Sequence, residues 1–227
     1  MAANIAEFGR IVKMADRYHA RLVAVSKTKP AEDILALYQA GQKIFGENYV
    51  QELVQKQASL PEDIQWHFIG HLQRNKVKYI APFVGMIHAV DSPDLLREIS
   101  KQGKKINRII DILLQVHIAR EETKFGLNER ELISLLEEIS LHPDDFGHIR
   151  LRGLMGMATH TTDDETIHEE FRFLKRLFDR VKEEYITAPA YFTELSMGMS
   201  GDYSIALEEG STLIRIGSLL FGARQYR

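Results

Sequence analysis

The chain has 227 residues, 44% of them hydrophobic and 27% charged, the balance of a globular protein with a buried core rather than of a disordered one. Its formal net charge of −3 lacks the basic field that a nucleic-acid binder needs, and its lack of cysteine excludes disulfides and thiolate metal sites.

The first segment, MAANIAEFGRIVKMADRYHA, carries charges along its length and no continuous apolar core, so it reads as an amphipathic helix, neither a secretory signal nor a membrane anchor. A β-branched run follows, LVAVSK, and then a helical stretch, AEDILALYQAG, with Gly41 as its C-terminal stop. Further short apolar runs are IFGEN (44–48), WHFIG (66–70), MIHAVDS (86–92), DILLQVHI (111–118), IRLRGLMGMAT (149–159), YFTELSMG (191–198) and TLIRIGS (212–218). RNKVK (74–78) reads as a solvated helix face, and ERELISLLEEIS as a helix. The clearest helix is DDETIHEEFRFLKRLFDRVKEEY, whose acids come first and whose basic residues come later, as the helix dipole favours. The densest apolar segment, IIDILLQVHI (109–118), is too short to span a bilayer and contains Asp111, so a soluble, cytoplasmic protein is expected.

Strands separated by whole helices are parallel neighbours, and about eight such units in a chain of this length is the count of a (β/α)8 TIM barrel. The alternative is an open doubly wound sheet, which the absence of a GxGxxG turn at a strand-to-helix junction disfavours. No linker or repeat interrupts the pattern, and residues 1–227 read as one domain. The sequence ends at Arg227, too soon after the last predicted strand for a full closing helix, so the N-terminal helix is expected to cover the barrel closure.

Chemistry in a parallel barrel sits at the C-terminal strand tips. These present Lys27, Asn48 after Glu47, Gly70 with His71, Asp91, Thr159 with His160, Ser196 to Ser200, and Arg215 with Gly217 and Ser218. A lone lysine at a strand end usually just reaches water. Arg215, however, lies inside the apolar run LIRIG of the last strand, beside strand one in a closed barrel; it calls for a partner there, and its charge disfavours a protonated Lys27. The simpler reading pairs Arg215 with a buried acid. SMGMSGD and the GS at 217–218 supply glycines and hydroxyls in the loops after strands seven and eight, the usual phosphate site of the barrel, or else are plain turns. An amine, an arginine and a phosphate cup at one mouth match pyridoxal 5′-phosphate (PLP), held as an imine on Lys27. His160, Asp163, Asp164 and His168 resemble a ligand cluster but lie where a loop enters a helix, where acids answer the dipole, so no metal is expected. Met155, Met157, Met197 and Met199 read as packing at the mouth.

Taken in order, AVSKTKP, FGENYVQE, WHFIGHLQRNK, HAVDS, ETKFG, LRGLMGMAT, ELSMGMSGDY and RIGSLLFGAR resemble the YggS-like pyridoxal phosphate homeostasis proteins over nearly the whole chain. The resemblance implies one barrel domain similar to the N-terminal domain of alanine racemase, with Lys27 as the PLP lysine. It also implies Asn48 near the ring and imine, Arg215 facing the ring nitrogen, and Ser200, Gly217 and Ser218 holding the phosphate. Ser218 stands where the family often has threonine, and ETKFG replaces the KSG of some relatives, which leaves the role of Lys124 open. The implied function is PLP binding in vitamin B6 homeostasis with little turnover, with PLP, other B6 vitamers and acceptor PLP enzymes as partners. The sequence lacks the further domain that pairs racemase subunits, so a monomer is expected. One alternative is an amino-acid racemase in which His71 or His160 is a second acid/base. Another is a cofactor-free aldolase acting through Lys27.

Overall fold

Asn4 sets the first boundary: its side chain accepts the Glu7 amide at 3.1 Å and caps helix α1 (Ile5–Arg17), which turns Phe8, Ile11 and Ala15 inward. The computed structural model describes residues 3–121 and 123–222. All eight predicted apolar runs fall on a strand, three of which begin one residue earlier than the run: β1 (Arg21–Val25), β2 (Ile44–Glu47), β3 (Gln65–Phe68), β4 (Met86–Val90), β5 (Ile110–Gln115), β6 (Ile149–Met155), β7 (Glu194–Ser196) and β8 (Leu213–Ile216). Each is shorter than its run, because the residues beyond the last ladder bond form the mouth loops. Between them lie α2 (Ala31–Gln39), α3 (Val50–Ser59), α4 (Val77–Ile80), α5 (Pro93–Lys105), α6 (Glu129–Leu141), α7 (Asp164–Glu184) and α8 (Tyr203–Glu208), with α9 (Ser218–Phe221) after β8. RNKVK is only partly the solvated face it was expected to be. It forms a 3₁₀ turn over Arg74–Lys76 and then enters α4, where Val77 and Ile80 are buried.

The strands pair in parallel in sequence order and close through β1 and β8, with Val23 opposite Arg215. This is the (β/α)8 barrel; the open sheet is excluded. The predicted cover at the closure is present: Asn4 N–H donates to Leu220 O at 2.8 Å, and Arg10 reaches Tyr203 Oη at 2.8 Å. One turn of helix, α9, follows β8, and residues 223–227 lie outside the described part.

Period-2 alternation sorts the side chains into two cores. Leu22, Ala24, Ile214 and Ile216 point outward into the large layer between sheet and helices, whereas Val23, Met86, Leu113, Met155 and Leu213 fill the barrel interior. The inward parity is odd on β1 and β8 and even on β4. It brings Val25 at the end of β1 and Arg215 on β8 to one cavity, which Lys27, in the turn just beyond β1, also lines.

Candidate functional site

The inward parity gathers the strand tips around a cavity of about 540 Å3 at the C-terminal mouth. Lys27, Asn48, Ser200, Arg215, Gly217 and Ser218 all line it, together with Val25, Lys29, Met157, His160 and Asp202. His71 lies elsewhere. It stacks on Phe125 at 4.5 Å in a separate depression of about 920 Å3, formed by the loops after β3, β4 and β5 and by α6.

Lys27 stands two residues beyond β1 in a tight turn, half-buried. Asn48 follows β2, and its Oδ1 is buried without a hydrogen-bond partner among the described residues. An amide oxygen removed from water costs free energy until something donates to it, which marks a place for a ligand. On the opposite side of the mouth Gly198, at φ 91°, lets the chain after β7 turn back toward α8; a Cβ there would sit 2.5 Å from that of Ala206. Ser200 Oγ then accepts the Gly217 amide at 3.4 Å, joining the two small-residue loops, and the space over Gly201 is open.

Arg215 is 3% exposed and charged, yet its two hydrogen bonds among the described residues go to neutral oxygens: Ser196 Oγ at 2.6 Å and Gly156 O at 3.0 Å. Burial pushes its pKa down to about 10, opposed by the field of Asp202. Asp202, itself raised by burial, accepts the Met199 amide at 2.5 Å and makes no ion pair with the guanidinium. Among the described residues, therefore, Arg215 has no ion pair with a buried acid, the pairing that the sequence left open.

The two histidines beyond Ser196 were not legible in the sequence. His88 Nδ1 lies 3.0 Å from Ser196 Oγ, and His88 Nε2 lies 2.9 Å from His67 Nδ1, a polar chain running from the mouth into the barrel. A guanidinium only donates, so Ser196 accepts from it and is free to give its own proton to His88 Nδ1; His88 Nε2–H then donates to His67. Both rings must be neutral for this. Burial together with the Arg21 charge pushes His67 down to about 3, and burial, His67 and Arg215 hold His88 well below its usual range.

The residues that resembled a metal cluster are dispersed into local contacts. The His160 amide donates to Glu121 at 2.9 Å, Asp163 accepts the Thr166 hydroxyl at 2.6 Å in the first turn of α7, and His168 meets Glu209 at 2.7 Å. Lys124 donates to Ala158 O at 2.6 Å, which ties the loop after β5 to the loop after β6.

A family model described as alanine racemase, N-terminal domain, matches residues 1–225. Among curated relatives, the pyridoxal phosphate homeostasis protein of Aquifex aeolicus is 41% identical over 208 residues, covering 91% of this chain and 88% of its own length. That of Homo sapiens is 39% identical over 216 residues, covering 91% and 77%. The chain belongs to the pyridoxal phosphate homeostasis protein family. Two solved structures of PipY from Synechococcus elongatus PCC7942 fit this family assignment. The one without PLP superposes with a TM-score of 0.88 at 32% identity, covering 96% of this chain and 99% of PipY. The one with PLP bound gives 0.80 at 33% identity, covering 92% and 100%. Alanine racemase of Bartonella henselae, 18% identical, shares the barrel at a TM-score of 0.72, covering 96% of this chain and 58% of the racemase; that likeness is one of fold. Among the described residues no helix is long and apolar enough to cross a membrane.

Proposed function

We propose that this member of the pyridoxal phosphate homeostasis family binds PLP and serves vitamin B6 homeostasis in the cytoplasm. In this reading Lys27 is bonded covalently to the cofactor's aldehyde carbon, turnover is little or none, and acceptor PLP enzymes are the onward partners. The observation that carries the reading is Arg215. A buried guanidinium whose hydrogen bonds among the described residues go to neutral oxygens faces the cavity that Lys27 also lines, and such a cation favours an electron-rich, anionic occupant.

The residues fit the group. The cavity lies within the roughly 300–1,000 Å3 typical of small-molecule sites. Ser200, Gly217 and Ser218 would hold the phosphate, and Asn48, with its orphaned Oδ1, would lie beside the ring. When bound, PLP supplies an electrophilic aldehyde and an electron-withdrawing ring. With its pKa near 10, Arg215 stays cationic at neutral pH and disfavours a proton on any nitrogen facing it, by about 1.4 kcal/mol for each unit of depression. A ring without that proton withdraws electrons poorly, which supports storage and exchange over carbanion chemistry.

One observation favours a second reading, an amino-acid racemase. His160 lines the same cavity and would be the acid/base opposite Lys27, whereas His71, in its separate depression, loses that role. Incubating the PLP-loaded protein with L- and D-amino acids in deuterated water separates the two readings. The homeostasis reading predicts no exchange at the α-carbon above a free-PLP control; steady exchange that His160→Ala abolishes would establish the racemase instead.

A further inference from the structure

Lys27 sits in a turn that its own sequence does not favour. Ser26 O accepts the Lys29 amide at 3.0 Å and closes a four-residue turn with Lys27 and Thr28 at its centre. Thr28, the third residue, has φ of 64°. A turn with positive φ at that position normally takes glycine or asparagine, and a β-branched side chain is the least suited to it. Such strain persists where the surroundings over-determine the backbone, and it concentrates at functional sites.

The surroundings here are α3. Lys56 Nζ donates to Ser26 O at 2.7 Å, to Glu47 Oε1 at 2.7 Å and to Glu52 Oε1 at 2.6 Å. Glu52 Oε1 in turn accepts the Thr28 amide at 2.6 Å, and the Ser26 hydroxyl donates to Glu47 at 2.6 Å. The Ser26 carbonyl belongs to the peptide unit before the Lys27 Cα, and the Thr28 amide to the unit after it. One ion-paired cluster therefore grips both peptide planes that set φ and ψ at Lys27. Lys56 is 7% exposed with an acceptor for each ammonium proton, so it is no spare nucleophile.

We infer that Lys56 and Glu52 are positioning residues for Lys27, holding the strained turn that aims its amine into the cavity. The inference rests on the covalent role proposed above for Lys27. Without the clamp, Thr28 relaxes toward negative φ and the Lys27 side chain leaves its approach, while the phosphate loops after β7 and β8 are untouched.

Glu52→Ala removes the acceptor of the Thr28 amide and leaves Lys56 paired with buried Glu47, so the fold is kept; Lys56→Met is the sharper variant, at greater risk to folding because it strands that carboxylate. Both are titrated as full chains with two ligands. PLP condenses with an amine and releases one water; pyridoxine 5′-phosphate has an alcohol in place of the aldehyde and does not. Glu52→Ala should weaken PLP by about tenfold, the ratio that corresponds to about 1.4 kcal/mol, and leave pyridoxine 5′-phosphate within about twofold. Adding Thr28→Gly to Glu52→Ala should recover most of the loss, because glycine takes positive φ without strain. In the ligand-free protein, amide exchange at Thr28 should quicken in Glu52→Ala. Equal losses for both ligands, no loss at all, or a loss that Thr28→Gly does not restore would overturn the inference. A wild-type chain on which borohydride fixes no PLP at Lys27 would overturn the proposed function instead.

Discussion

At the scale of single residues the site is a contrast between two basic side chains. Lys27 reaches the cavity on a half-buried turn, whereas Arg215 is sealed beneath it with its hydrogen bonds spent on Ser196 and Gly156. Arg215→Glu replaces a donor that disfavours protonation of a facing ring nitrogen with an acceptor that favours it. The absorption maximum of the PLP-loaded variant should therefore move and become pH-dependent; a spectrum identical to wild type would remove Arg215 from the ring. Lys27 and Arg215 were legible because each breaks an apolar run at a strand tip. His67 and His88 were not, since a histidine within a strand passes for filler until the inward parity it shares with Met86 is known. Lys56 left a faint signal: with Val50 and Leu53 it continues the buried stripe of α3, an odd place for a lysine.

At the scale of elements, the barrel was legible because alternating short apolar runs and helical periods admit few topologies, and the amphipathic pattern of the N-terminal segment marked α1 as a helix with one face to bury. What hid was contact across elements. The turn after β1 is held by side chains of α3, some 25 residues away, and the chain from Arg215 to His67 joins four strands; no spacing in the sequence encodes either. The α1 cover makes a direct prediction. Ile11 is fully buried where α1 packs over the closure, so Ile11→Ala should cost about 2–5 kcal/mol in denaturant unfolding and leave the mouth loops in place. A cost under about 0.5 kcal/mol, the range of surface changes, would show α1 to be dispensable.

At the scale of the whole molecule, the buried neutral histidines set an acid limit. Their folded pKa values lie below the unfolded value near 6.5, so between that pH and about 3 the unfolded chain binds more protons, and stability falls as pH drops through this window. Unfolding free energies measured from pH 7 down to pH 4 should decline, and a His67→Gln, His88→Gln double variant should decline less steeply; parallel curves would show that the pair is not buried neutral. The central claim, one cavity that brings the Lys27 amine and the Arg215 cation to a single PLP molecule, is tested most directly by borohydride reduction of the PLP-loaded chain and mapping of the pyridoxyl label. The account predicts one label, on Lys27, with Lys27→Ala unlabelled yet still binding PLP reversibly. A label on another lysine, or equal labelling of Lys27→Ala, would contradict it.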